Sequence, residues 1–187
     1  MINLTLRKNF KAKFTGIKML TADLKQQVKK LVEDEPRMLP SEIAEQLNIT
    51  EAQTVFSFKK EMCTHIDGTQ AELLLDELSN WGDVTTIMHS EGSIFEVKAS
   101  FPKGKIAHGY YNLMGKKGEL NGHLRLDLIT DIALISKPFR GNESYYFGFF
   151  SEQGKNIFKV YLGRDKKRQL LADQVEKFNK LKIKYGQ

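Results

Sequence analysis

Apolar positions recur along this chain with two different periods, and the change falls near residue 82. Leu24, Val28, Leu31 and Val32 repeat at helical spacing, with Thr21 as a cap and Pro36 as a stop. Pro40 and Ser41 open a second helical segment, whose Ile43, Ala44 and Leu47 form an apolar stripe. Thr50 with Gln53 forms a capping-box pattern for a third helix near 51–58. Thr69 with Glu72 repeats that pattern before Leu73–Leu78, and Gly82 ends the run.

Beyond Gly82 the period shortens to two. Strands are expected at 83–89, 93–99, 106–113, 120–128, 131–136, 144–151 and 156–162. Glu91-Gly92, the Gly115–Gly118 segment and Gln153-Gly154-Lys155 supply turns between them. Short turns without intervening helices favour antiparallel pairing. SYYFGFFSE carries aromatic residues on both faces, which predicts a strand covered on both sides. A closing helix is expected from about 165 to 182, burying Leu170, Leu171, Val175, Phe178 and Leu181. The fold class is α+β: short N-terminal helices (21–80), then a large antiparallel β-sheet with a C-terminal packing helix (81–187).

Composition narrows the class. With 187 residues, 41% hydrophobic and 28% charged, the chain can bury one full core. No run approaches the ~20 apolar residues of a membrane span. A lone cysteine, Cys63, and no secretory signal point to the cytoplasm. The formal charge of +6 is concentrated at the start, where Arg7, Lys8, Lys11, Lys13 and Lys18 stand without an acidic residue. Removing those five from the 29 basic residues leaves 24, against 23 acidic ones. Residues 1–20 therefore read as a disordered basic extension, and 21–187 as one nearly neutral domain. Nucleic acid is disfavoured as a partner on that ground. The 39–58 segment could still form a helix-turn-helix presenting Gln53, Thr54 and Ser57 to DNA, or a helical hairpin that packs on the sheet or on another subunit.

The chemistry lies in the strand region. By alternation, Ile106, His108, Tyr110 and Asn112 would share one face of a single strand. Tyr110 is then a candidate donor to ferric iron, because a phenolate is a hard anionic ligand, with His108 able to hydrogen-bond it. The plainer account is an aromatic pair, Tyr110–Tyr111, that fills the core and rim of the sheet. His89 and His123 are imidazole candidates on other strands, and their spacing matches no compact zinc motif. Lys103, Lys105, Arg125, Lys137 and Arg140 bracket these strands. Carboxylates such as haem propionates would be well met there, although a solvated charged face reads the same way.

In order and spacing, WGDVTTIMH, IFEVKASFPKG, HGYYNLMG, GHLRL, the KPF.G..S segment and FKVYLGRD…R.LL.DQV resemble the intracellular haem-utilisation carriers of the HutX/ChuX type. The similarity runs from about residue 22 to 181. It implies a cytoplasmic haem-binding protein that dimerises and hands its haem cargo to a haem-degrading enzyme. It also implies a fold similar to one half of the larger two-repeat haem-processing proteins. Tyr110 opens the GY[YF]NL motif and becomes the axial-ligand candidate, with His89 and His123 second; His108, Arg125 and Lys103 join the candidate haem-binding set. Phe58-Lys59 and Arg140 depart from the family pattern, and Arg140 alters pocket polarity or adds a propionate partner. The alternatives are a haem-degrading enzyme and, less favoured, a helix-turn-helix DNA-binding regulator.

Overall fold

The computed structural model describes residues 20–186, so the basic extension expected at 1–20, apart from Leu20, lies outside the described residues. Three helices come first: α1 (Ala22–Asp34), α2 (Pro40–Leu47) and α3 (Glu51–Val55). Their starts follow the sequence. Thr21 accepts a hydrogen bond from the Leu24 N–H, and the Glu42 carboxylate reaches back to the Leu39 N–H at 2.6 Å. Thr50 and Gln53 satisfy each other's backbone N–H groups, as the capping box requires.

The next element departs from expectation. Cys63–Asp67, inside the supposedly all-helical part, is a strand, β1, paired along its length with β7 (Asp131–Ser136). Its run of five residues is too short for periodicity to separate strand from helix. The Thr69–Glu72 box does not form either. Asp67 accepts hydrogen bonds from both the N–H and the hydroxyl of Thr69, which folds Gly68–Gln70 into a 3-10 turn ahead of α4 (Ala71–Leu78).

The strands β2 (Asp83–Ser90), β3 (Ser93–Ser100), β8 (Tyr145–Phe150) and β9 (Asn156–Tyr161) complete a six-stranded sheet with β1 and β7. Its order is β1-β7-β8-β9-β2-β3, antiparallel throughout. Both faces are covered. On one, Ala133, Ile135, Tyr146 and Phe150 pack against Val28, Ile43, Ala52 and Val55 of the N-terminal helices. On the other, Ile132, Leu134, Phe147 and Phe149 meet Leu74, Leu75 and Leu78 of α4 and Phe178 and Leu181 of α5 (Ala172–Tyr185). The two-faced pattern of SYYFGFF is therefore the centre of a helix–sheet–helix sandwich.

Helix α5 begins later than expected. Asp165 accepts from the backbone N–H groups of Lys167 and Gln169, and this closes a turn where the helix was placed. Residues 163–171 are accordingly a loop. Gln174, fully buried in α5, holds it in place by accepting from the Gly163 N–H at 2.7 Å. Its amide donates to the carbonyls of Trp81 and Asp83.

A second, three-stranded sheet of β4 (Gly104–Ala107), β5 (Tyr110–Leu113) and β6 (Gly122–Leu124) is inserted between β3 and β7. Its Tyr111 and Leu113 are buried in the α4/α5-side core. A 3-10 turn at Leu126–Leu128 replaces the end of the expected 120–128 strand. Among the described residues, no helix is long and apolar enough to cross a membrane.

Candidate haem-binding face

The segment expected as one strand at 106–113 is a hairpin. Ala107 pairs with Tyr110, and the two residues between them, His108 and Gly109, have φ of 53° and 78°. Positive φ at both positions matches a two-residue turn of the type that suits strand twist, and glycine adopts it at no steric cost. His108 consequently sits at the turn and does not share a strand face with Tyr110, which corrects the alternation reading. Gly109 serves the turn; the glycine that admits an aromatic ring is Gly104, where a Cβ would lie 2.1 Å from the Tyr111 ring.

The hairpin separates the two tyrosines. Tyr111 is 2% exposed, and burial pushes its phenol upward in pKa. Tyr110 is 41% exposed on the opposite, solvent-facing side. Register then places four polar side chains on that side. Asn112 pairs with His123, and two residues further, just past the last pair Tyr111–Leu124, the same register puts Tyr110 across from Arg125. The Tyr110 and His123 rings meet edge-on at 5.8 Å between centroids, and the Arg125 guanidinium carbon is 6.0 Å from the Tyr110 ring centre.

Asn112 organises this face. Its amide nitrogen is directed at the carbonyls of Lys105, Ala107 and Tyr110 at 3.0–3.2 Å, so its oxygen is directed at His123 Nδ1, 2.6 Å away. An amide oxygen only accepts, so Nδ1 carries the proton and Nε2 of the neutral ring keeps a free lone pair. Arg125 is held by Asp127 through two bonds, Nε–Oδ1 at 2.8 Å and a second guanidinium nitrogen to Oδ2 at 2.6 Å. That carboxylate raises the guanidinium pKa, with Tyr110 a smaller contributor, and Arg125 lowers Asp127 in return. Both groups are exposed and charged together.

A cavity of about 460 Å³ opens here, bordered by Ile106, His108, Gly109, Tyr110, Arg125 and Asp127 among others. Tyr110, His108 and Arg125 are thus brought to one cavity, with His123 against Tyr110 at its side. Lys103 is exposed near the start of β4, and its carbonyl accepts from the Met114 N–H. His89 stands near the end of β2 in the other sheet, opposite Ile94, and its side chain makes no hydrogen bond or ring contact to a described residue. Lys137 is not at a pocket mouth. It is buried, donates to the carbonyls of Pro36 and Met38, and is lowered in pKa by that burial. Alternation along the strand already put Asn112 on the Tyr110 face, but its contact with His123 comes from the pairing of β5 with β6, and Asp127, in the 3-10 turn after β6, was not singled out from the sequence.

The helix-turn-helix reading fails on burial. Thr54 is 0% exposed and Ser57 is buried, each with its hydroxyl donating to a backbone carbonyl within α3 or its end. Gln53 is occupied by the Thr50 cap. The α2–α3 pair is a helical hairpin packed on the sheet. No group of three or more His, Cys, Asp or Glu side chains among the described residues is placed to hold a bare metal ion.

A model of the family described as "Haem utilisation ChuX/HutX" matches residues 64–181. The chain is 52% identical over 178 residues to the "Intracellular heme transport protein HutX" of Vibrio cholerae serotype O1, covering 95% of this chain and 92% of that protein. A solved structure described as "Structure of the Heme Binding Protein ChuX" superposes with a TM-score of 0.78 at 32% identity, covering 86% of this chain and 99% of the other. The Escherichia coli O157:H7 heme degrading enzyme ChuS superposes with a TM-score of 0.65 at 21% identity. There, 75% of this chain covers 42% of the larger protein, so the fold corresponds to about half of it.

Proposed function

The chain belongs to the haem utilisation ChuX/HutX family, and from that premise we propose that it binds haem as cargo and carries it within the cell to a haem-degrading enzyme. The observation that carries the site assignment is the polar face on which Tyr110, the His123 ring and Arg125 converge. The residues suit ferric haem. The exposed Tyr110 oxygen is the proposed axial donor, with His123 Nε2, left free by Asn112, as a second nitrogen donor on the same face. Arg125 and, more distantly, Lys103 are cations able to meet propionates. His108 borders the cavity from the turn. His89 would take part only from the other sheet, and ranks last.

An anionic oxygen ligand favours ferric over ferrous iron, which suits storage and transfer more than oxygen chemistry. The likeness to the degrading enzyme, at 21% identity, concerns the fold alone. Cytoplasmic residence is the reading that fits an intracellular relative. A homodimer is proposed on the free edge of β3, where Ile94 and Phe95 are 60% and 56% exposed and a second copy would cover them.

The test is a ferric haem titration. The wild-type protein gives a saturable Soret band with a high-spin, tyrosinate-type spectrum, and Tyr110→Phe abolishes that spectrum and weakens binding at least tenfold. An unchanged spectrum and affinity in Tyr110→Phe would refute the ligand assignment. Catalytic Soret loss with bilin accumulation, under a reductant and oxygen, would refute the carrier role.

A further inference from the structure

A larger cavity than the one beside Tyr110 lies elsewhere among the described residues. It measures about 920 Å³ and is walled by β2, β3 and β9, by the 139–145 segment and by the 163–170 loop; it shares no lining residue with the Tyr110 cavity. Its walls mix aromatic and apolar side chains, including Phe139, Tyr145, Tyr161 and Leu162, with five cations: Lys98, Arg140, Arg164, Lys167 and Arg168. The lining carboxylates are Asp83 and Glu96. Positive charge is therefore in excess.

The arginines are held there by unusual backbone. Phe139 and Asn142 bond each other in both directions, at 2.9 and 3.0 Å, around a two-residue turn of Arg140 and Gly141. Arg140 has φ of 50°, in the left-handed region where a long side chain is disfavoured. Its guanidinium lies 5.0 Å from the Phe139 ring centre. Arg168 repeats the arrangement at φ 65°, closing the turn that begins at Asp165. Neither Arg140 nor Arg168 forms an ion pair among the described residues. Arg164 braces the two turns, donating to the Arg168 carbonyl at 2.8 Å and to the Glu143 carbonyl. Glycine would relieve both strained positions, yet each carries an unpaired arginine facing one cleft. Such strain is a mark of functional sites.

We propose that this cleft is a second binding site, for a planar apolar ligand carrying two carboxylates, of the tetrapyrrole dicarboxylate class, gripped by Arg140 and Arg168 without an iron ligand. Its volume lies within the range of small-molecule pockets, and its concavity fits a ligand better than an acidic protein surface. Paired guanidinium groups match carboxylates, and the aromatic walls suit a flat ring. The lining contains no histidine, cysteine or methionine, and burial raises both of its phenols, Tyr145 and Tyr161. Recognition would be indifferent to the metal. The cleft could therefore hold the macrocycle before or after it engages the Tyr110 face. This inference rests on the haem-carrier reading for its ligand class.

The probe is metal-free protoporphyrin IX, followed by fluorescence, with the wild-type protein, Tyr110→Phe, and the double variant Arg140→Gly/Arg168→Gly. Glycine keeps the left-handed turns unstrained, and the thermal midpoint checks the fold. Expected are saturable binding to the wild type, affinity within twofold in Tyr110→Phe, and at least tenfold weaker binding in the double variant. The double variant retains the tyrosinate spectrum with ferric haem. Absence of saturable binding, its loss in Tyr110→Phe, or an unchanged affinity in the double variant would each overturn the proposal. A wild-type protein that also fails to bind ferric haem would instead bring down the carrier reading.

Discussion

His123 Nδ1 lies 2.6 Å from Asn112 Oδ1, directly across the β5–β6 pair, and this contact sets which nitrogen of the imidazole is free. The amide cannot flip without turning its NH₂ group toward the ring and its oxygen toward three carbonyls. Replacing Asn112 with Ala releases the ring, and ferric haem affinity is expected to fall about tenfold to a hundredfold, as for other partners that orient metal-binding histidines. Asn112→Asp keeps an acceptor for Nδ1 and should hold affinity closer to wild type. Nitrogen chemical shifts of His123 report the tautomer independently. An Ala variant with wild-type affinity would remove His123 from the site.

Gly104 and Tyr111 test how the ligand face is kept apart from the core. A Cβ at Gly104 would fall 2.1 Å from the ring of Tyr111, which is 2% exposed. Gly104→Ala is expected to destabilise the fold by about 1–3 kcal/mol, the usual cost of overpacking. The urea midpoint measures it. Tyr111→Leu should recover part of the loss in the double variant, because it removes the ring that the methyl strikes. Additive losses would mean that the strain lies elsewhere.

Much of this architecture is legible in the sequence, and the exceptions have physical causes. The caps at Thr21 and Thr50, the strands expected at 83–89, 93–99, 131–136 and 156–162 and the two-faced β8 follow from local pattern. Strand β1 does not, because its five residues owe their conformation to β7, far along the chain at Asp131–Ser136. The hairpin at His108–Gly109 is not marked by an Asn-Gly or Asp-Gly pair, and its turn places Ala107 opposite Tyr110, so alternation does not run through 106–113. Tyr110 could be named from its motif and Asn112 and Arg140 from the sequence, but the Asn112–His123 contact and the cleft that brings Arg140 to Arg168 come only from how separate segments meet. At 39–58 the pattern allows both a helix-turn-helix and a hairpin packed on the sheet, and the structure has the hairpin, because polar Thr54 and Ser57 are satisfied by their own backbone and lie buried.

Gln174 joins α5 to the loop that borders the large cleft. It satisfies the Gly163 N–H and the carbonyls of Trp81 and Asp83 while fully buried. Gln174→Ala leaves these three backbone groups without that partner, and a loss of about 3 kcal/mol is expected, since one unsatisfied buried group costs about 1–3 kcal/mol. Amide hydrogen exchange should show the effect concentrated at residues 163–171. A uniform loss of protection across the sheet would contradict the role of a local latch.

Cys63 gives a reading of the fold that does not depend on haem. Burial beside β7 pushes its thiol pKa from 9.0 up to about 12, against a smaller opposing pull from the Lys182 ammonium. The thiolate is the reactive form, so at pH 8 the native thiol should alkylate about a thousandfold more slowly than in the urea-unfolded chain. The same shift fixes a sign. A raised pKa means that the native state holds its proton more tightly, so this contribution to stability is complete below pH 9 and is lost as pH rises from there toward 12. Cys63→Ser, whose hydroxyl does not titrate in this range, should flatten that part of the stability–pH curve. Rapid alkylation of the native protein at pH 8, or an alkaline decline as steep in Cys63→Ser as in the wild type, would show that the thiol is not shielded by the fold.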